Sequence, residues 1–389
     1  MYHPLNLEKR LEIRKKENSF RILNSASGLI DFASNDYLGF ARNREVGQLA
    51  LSILKDNGLA GRNGATGSRL LTGNHDLYSI TEDYIKDFHN CEAALIYNSG
   101  YDANIGFFGT VPQRGDLILF DELVHASIRE GIRLSNARSF KFRHNDLKNL
   151  EDLIIQNKTK TNTLNDDLNI FIVTESIFSM DGNCAPVREI AGLAESYNAF
   201  LIFDEAHATG IFGHKGQGLV QQLDAEKKVF ARIITFGKAL GCHGAAVLGS
   251  KFLKDYLINF SRSFIYTTAL PPHSVATILA AYQLLDKFQP HRELAALNKN
   301  IEIFRTELES RDISSKFIES ESAIQCCIIN GNDGVKMVAA ALQEKGFDVK
   351  PILSPTVPQG KERIRICLHS FNSPEDIKQL VEELANLIK

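Results

Sequence analysis

The sequence predicts an α/β protein with a mainly parallel central sheet and a smaller α+β domain towards the C-terminus, and two observations carry that prediction. From Ala93 onward, short apolar runs of β type alternate with helical patterns: Ala93–Tyr97, Leu117–Asp121, Ser139–Phe142, Ile170–Glu175, Phe200–Asp204, Ile233–Phe236 and Ala245–Leu248. Such alternation is the punctuation of βαβ units, and the seven runs imply a seven-stranded sheet. Reactive side chains also stand just beyond the apolar runs, Asp204 after Ala199-Phe200-Leu201-Ile202-Phe203 and Lys238 after Ala231-Arg232-Ile233-Ile234-Thr235-Phe236. Open α/β sheets bind ligands beyond the carboxyl ends of their strands, so both side chains are expected in one crevice.

Each element follows from local pattern. Residues 1 to about 25 read as a charged helix in which Leu5, Leu7, Leu11 and Ile13 form a weak apolar face suited to packing on a neighbour. The Asn/Thr/Lys-rich stretch Asn157–Asp167 has the composition of a surface loop. After Pro271-Pro272 a helical pattern runs from His273 to Lys287, followed by strands near Ala323–Ile329 and Ile364–Leu368 and an amphipathic helix from Pro374 to Lys389. The division expected is an N-terminal arm over 1–45, a large domain over 46–280 and a small domain over 281–389.

A chain of 389 residues with 44% hydrophobic content can bury a sizeable core. The net charge of −3, without a basic block, leaves no electrostatic footprint for nucleic acid and points to small-molecule chemistry. The six cysteines form no CxxC pair and have no histidines at zinc spacing, so no metal site is expected and the thiols read as reduced. With no apolar leader and no run of membrane-spanning length, the expected location is the cytoplasm.

Lys238 lies in Thr235-Phe236-Gly237-Lys238-Ala239-Leu240-Gly241, downstream of Asp204-Glu205-Ala206-His207-Ala208-Thr209-Gly210. Taken singly, a lysine before a small-residue turn is solvated surface and a strand-end acid is a helix cap. Together they supply what pyridoxal 5'-phosphate requires: a primary amine for its aldehyde and a carboxylate that keeps its ring nitrogen protonated. Ser99-Gly100-Tyr101 follows one strand and opens a helix, whose free backbone N–H groups could hold the phosphate. His125 has a planar ring suited to lie on the cofactor. His207, three residues after Asp204, could donate to the phenolic oxygen, as could Ser179 from the neighbouring strand end.

Ser34-Asn35-Asp36-Tyr37-Leu38-Gly39, Ser99-Gly100-Tyr101, Asp121 with His125, Thr174–Gly182, Asp204–Gly210, Thr235–Gly241 and Phe264-Ile265-Tyr266-Thr267-Thr268-Ala269-Leu270-Pro271-Pro272 occur in order. This series closely resembles the α-oxoamine synthases. The resemblance implies a fold type I, aspartate-aminotransferase-like enzyme that condenses a small amino acid with an acyl-CoA, with loss of carbon dioxide and thiol. It implies catalytic roles for Lys238, His125, Asp204 and His207, and cofactor contacts from these and from Ser99, Gly100, Tyr101, Ser179 and Thr235. It further implies a homodimer with active sites at the interface, Thr267 and Thr268 reaching a phosphate in the partner subunit, and substrate contacts from Asn35, Ser68 and Arg365.

The resemblance leans to the branch that joins L-alanine to pimeloyl-CoA, or to a pimeloyl group on acyl carrier protein, in biotin biosynthesis. Sister synthases that use glycine or serine, and a non-catalytic partner subunit, are the alternatives. Two departures bear on substrate choice: Asn372 stands near where the family commonly has a histidine, and Cys242-His243 follows the lysine turn.

Overall fold

Continuous apolar runs need cover on both faces, and the central sheet provides it. The structure is a computed structural model that describes residues 4–23, 28–160, 168–287 and 292–388. In chain order the strands are β1 (Ile30–Asp31), β2 (Ala93–Tyr97), β3 (Leu117–Asp121), β4 (Arg138–Phe142), β5 (Ile170–Glu175), β6 (Phe200–Asp204), β7 (Ala231–Thr235), β8 (Ala245–Gly249), β9 (Ile324–Ile328), β10 (Phe347–Asp348), β11 (Lys350–Ile352) and β12 (Arg363–Cys367). Contacts divide the chain into a small unit, Met1–Asn35 with Ser179–Asn183 and Ala295–Lys389, and a large unit, Asp36–Phe178 with Cys184–Leu294.

The large unit holds the seven-stranded sheet, in the order β2-β8-β7-β6-β5-β3-β4. The pairs β3/β4, β3/β5, β5/β6 and β6/β7 are parallel, whereas β8 is antiparallel to both β7 and β2. Side chains alternate across the sheet. Leu201 and Phe203 of β6 join Leu117, Leu119, Ile170 and Ile172 in one core with Leu150 and Ile190 from covering helices. Ile202 joins Ile118, Val173 and Ile233 in the other, with Phe107, Phe108, Ile128 and Ile132 from the helices Gly100–Phe108 and Ala126–Leu134.

The turn between β7 and β8 presents Lys238. Cys242 N–H donates to Phe236 O (2.8 Å), Phe236 N–H to Gly244 O (2.9 Å), and Gly241 N–H to Lys238 O (2.8 Å). Gly241 has φ +61°, and a Cβ there would overlap the backbone nitrogen of Ala41, so only glycine lets the turn approach that backbone so closely.

In the small unit an antiparallel sheet runs β11-β12-β9, placing Arg365 opposite Lys350 on one side and Cys326 on the other. β1 and β10 form a two-residue parallel pairing. The N-terminal helix spans Leu5–Lys16, shorter than its charge pattern suggests, and Leu5, Leu7, Leu11 and Ile13 on it are all exposed. The stretch expected as a loop from Asn157 is still helical through Lys160, because Leu150 and Ile154 are anchored in the core and Asn157 donates to Leu153 O within the helix. Residues 161–167 of that stretch lie outside the described residues. The later helices span Pro272–Lys287 and Pro374–Ile388. Among the described residues no helix is long and apolar enough to cross a membrane.

Phe203 is fully buried at the centre of the sheet. Phe203→Ala should lower the unfolding free energy by about 3–5 kcal/mol, read from urea denaturation. Phe140→Ala, at an exposed position on the edge strand β4, should shift it by no more than about 0.5 kcal/mol.

Candidate functional site

Strand ends of the large unit bring the expected reactive groups together. Asp204 closes β6 and is buried, accepting from the Ala206 backbone N–H at Oδ1 (2.9 Å) and from Asn104 Nδ2 at Oδ2 (2.9 Å). His207, also buried, lies one turn further on. Its Nε2 is 2.7 Å from Lys238 Nζ and its Nδ1 is 2.8 Å from the hydroxyl of Tyr37. One imidazole therefore bridges the lysine amine and a fully buried phenol.

His125 caps the helix Ala126–Leu134, with Nδ1 accepting from the Ser127 N–H (3.3 Å) and 2.8 Å from Ser127 Oγ. Its own backbone N–H donates to the buried carboxylate of Glu175 (2.5 Å) at the end of β5. The residue is exposed, yet protein crowds its ring. That desolvation, together with the charges of Lys238 and Arg129, lowers its pKa below the ordinary histidine value, while the Asp204 carboxylate opposes the shift. Both Asp204 and Lys238 are thus close enough to act on this ring.

Ser99 caps the helix Gly100–Phe108, its Oγ accepting from Asp102 N–H (3.0 Å) and donating to the Asp102 carboxylate (2.8 Å). A Cβ on Gly100 would lie 3.8 Å from Thr235 Oγ1, so the helix N-terminus and the end of β7 adjoin. Thr235 Oγ1 donates to Gly244 O (3.1 Å). Tyr101 is exposed, with its hydroxyl on Glu130. Ser68 is buried in a turn, its carbonyl accepting from Leu71 N–H (3.0 Å) and Gly73 N–H (2.9 Å). Thr268 is exposed and its carbonyl accepts from Asn98 Nδ2 (2.6 Å), while Thr267 lines a small recess with Arg69 and Asn98.

The small unit gathers another expected set. Arg365 on β12 is buried, with Nε donating to Ser179 O (2.7 Å) and Nη2 to Asn35 Oδ1 (3.0 Å). Ser179 is held there through its carbonyl, and it too is buried.

The donor set of the large unit fits pyridoxal phosphate. A primary amine, a strand-end carboxylate and a helix N-terminus built from Ser99 and Gly100 match the cofactor's aldehyde, ring nitrogen and phosphate. The profile of the class I and II aminotransferases matches residues 27–384. An 8-amino-7-oxononanoate synthase from Emericella nidulans is 40% identical over 98% of this chain and 94% of its own. The chain belongs to the class I and II aminotransferase family, as an α-oxoamine synthase.

Solved structures agree with this family. An 8-amino-7-oxononanoate synthase from Francisella tularensis superposes with a TM-score of 0.76 at 28% identity, covering 92% of this chain and 97% of that one. A serine palmitoyltransferase from S. paucimobilis with a bound PLP-myriocin aldimine superposes at 0.87 with 23% identity, over 98% and 96% of the two chains, a likeness of fold. This α-oxoamine synthase thus has the fold type I architecture expected from its motifs, and pyridoxal phosphate as its cofactor.

Sequence reasoning assigned no role to three residues that the structure ties to the site: Tyr37 on His207, Asn104 on Asp204 and Glu175 on the His125 backbone. Tyr37 lies inside the family motif Ser34–Gly39. Asn104 was signalled only by being a lone amide in the otherwise apolar stretch Ala103-Asn104-Ile105-Gly106-Phe107-Phe108.

The electrostatics around His125 give a signed expectation. In an NMR titration of the histidines, His125 should titrate below the ordinary value of about 6.5. Lys238→Ala, which removes a nearby positive charge, should raise the midpoint, and Asp204→Asn should lower it further. A group with a depressed folded-state pKa contributes stability above the ordinary histidine pKa, and that contribution declines as pH falls through the folded value.

Proposed function

We propose that the protein is an 8-amino-7-oxononanoate synthase: an acyltransferase that joins L-alanine to the pimeloyl group of pimeloyl-CoA, or of pimeloyl acyl carrier protein, in biotin biosynthesis. The observation that carries this reading is the 40% identity over 98% of the chain with an enzyme of that name. The lysine, histidine and aspartate arrangement of the large unit supports it.

In the reaction the α-proton of alanine is removed, and a bond forms between the α-carbon and the thioester carbonyl as the thiolate leaves and takes up a proton. The bond to the carboxylate then breaks to release carbon dioxide, after which the α-carbon regains a proton. Pyridoxal phosphate, when bound, supplies the electron-withdrawing ring that delocalises charge from the α-carbon. Lys238 Nζ would hold the cofactor aldehyde and, as a free amine, would take the α-proton as general base. Asp204 would accept the ring N–H, and its two donors, Ala206 N–H and Asn104 Nδ2, hold the carboxylate for that role. His207 would hold the phenolic oxygen, with Tyr37 fixing the imidazole from its other nitrogen.

His125 would lie against the ring face. Ser99, Gly100, Tyr101 and Thr235 would surround the phosphate, and Ser179 would take part in cofactor binding. Arg365, steadied by Asn35, binds the alanine carboxylate, for which a guanidinium offers a bidentate pair. Ser68 borders the amino-acid side chain. The working form is a homodimer in which Thr267 and Thr268 reach a phosphate of the partner subunit's site.

Thiol release by the cofactor-loaded protein tests the reading. Alanine with pimeloyl-CoA should release thiol, and glycine with acetyl- or succinyl-CoA, or serine with palmitoyl-CoA, should not. Release with one of those other pairs alone would move the protein to a sister synthase activity. Lys238→Ala should lose turnover entirely, and a variant cycling at the wild-type rate would sink the assignment of the lysine.

A further inference from the structure

Asp204 and His125 come from different elements, one at the end of β6 and one at the start of the helix Ala126–Leu134. A single buried side chain joins them. Asn104, on the helix Gly100–Phe108, donates through Nδ2 both to Asp204 Oδ2 (2.9 Å) and to Ser127 Oγ (3.0 Å). Ser127 Oγ in turn lies 2.8 Å from His125 Nδ1. Asn104 and Ser127 are both almost fully buried, so water does not substitute for these bonds.

The donor directions along this chain are determined. A carboxylate only accepts, so the amide nitrogen of Asn104, and not its oxygen, faces Asp204. The same nitrogen meets Ser127 Oγ, which leaves the serine proton free to point at His125. Nδ1 of His125 already accepts from the Ser127 backbone N–H, so it is an acceptor and the neutral ring carries its proton on Nε2.

Asn104 can span this distance because its helix lies close against the next one. A Cβ on Gly131 would come within 2.7 Å of Asn104 O and 2.9 Å of Phe108 Cβ. Asn104 Oδ1, by contrast, is buried with no hydrogen-bond partner among the described residues. An amide that leaves its own acceptor unsatisfied while both donor bonds are made is placed for what it donates to.

We propose that Asn104 is a positioning residue of the cofactor site, one carboxamide that holds the Asp204 carboxylate and, through Ser127, the His125 ring in a fixed mutual orientation. The inference rests on the reading that Asp204 and His125 contact the pyridoxal ring. A carboxylate held at one oxygen by a backbone N–H and at the other by Asn104 cannot rotate, so its orientation towards the ring nitrogen is set before the cofactor arrives.

The test uses the full-length protein and measures pyridoxal phosphate itself. The dissociation constant is obtained by titrating the apo-protein, and visible circular dichroism of the bound cofactor reports its orientation. Asn104→Ala should weaken binding about tenfold, the size of one charge-assisted hydrogen bond, and reduce the dichroic band. In an Asp204→Ala background the same substitution should change the dissociation constant less than about twofold, since a residue that acts through Asp204 has nothing left to act on.

Asn104→Asp keeps the shape and sets two carboxylates side by side, so it should bind the cofactor more weakly still, even if Asn104→Ala folds poorly. Equal effects of Asn104→Ala in both backgrounds would show a role in the fold alone and overturn the proposal. So would wild-type binding and dichroism in Asn104→Ala and Asn104→Asp. If Asp204→Ala itself bound the cofactor like wild type, the assignment of Asp204 would fail first, and this inference with it.

Discussion

The chemistry of the large unit depends on the register of β6 between its two parallel neighbours. Glu175 of β5 pairs with Asp204, and Asp204 pairs with Ile233 of β7. Because side chains alternate along a strand, this register turns Asp204 towards the helix that carries Asn104 and turns Glu205 to the opposite side. A slip of one residue would exchange them. Glu205 is what makes such a slip costly. Its N–H donates to Ile233 O (2.8 Å), its Oε1 accepts from Val220 N–H (2.9 Å), and its Oε2 lies 3.6 Å from the Arg232 guanidinium. Burial pushes the Glu205 carboxyl pKa up, while Arg232 and the backbone donors oppose that rise. Removing either partner of such a buried pair leaves a lone charge, a loss of about 3–5 kcal/mol.

The same alternation explains what was legible in the sequence. β5, β6 and β7 are buried nearly throughout, so most of their residues had to be apolar, and polar groups gather where the strands end: Glu175, Asp204, Thr235 and, just beyond β7, Lys238. The antiparallel course of β8 was not legible, since its run Ala245–Leu248 has the same apolar character as its parallel neighbours. Strand direction is set by the connection, here the tight turn through Lys238, and composition does not encode it. Asn157 misled in a different way: an amide that reads as a loop residue satisfies itself on Leu153 O inside a helix whose other face is core.

The site residues divide along a similar line. Lys238, Asp204 and His207 stood out because their chemistry is scarce at strand ends. Tyr37, Asn104 and Glu175 act on residues 170, 100 and 50 positions away, so their roles are properties of the folded topology. No window of sequence contains both members of those pairs. Arg365 and Asn35 are separated by 330 positions, and it was the family motif, not any local pattern, that brought them into one expectation.

At the two departures from the family pattern, Asn372 and Cys242 bond to backbone. Asn372 is buried, with Oδ1 accepting from the His369 N–H (2.8 Å) and Nδ2 donating to Asp31 O (3.0 Å), so it secures a turn. The Cys242 thiol donates to Leu240 O (3.0 Å) and its pKa is pushed up to about 12, chiefly by burial, which leaves it a protonated filler of the lysine turn. The turn of Ser68 is held by backbone, because a Cβ on Gly73 would overlap the carbonyl oxygen of Gly67, and Ser68 O holds two backbone donors. A wall fixed by backbone does not retreat from one extra methyl, and one methyl in a hydrophobic pocket is worth about 1–3 kcal/mol. If Ser68 borders the amino-acid side chain, as proposed above, discrimination by one methyl at this turn is a matter of roughly ten- to two-hundredfold.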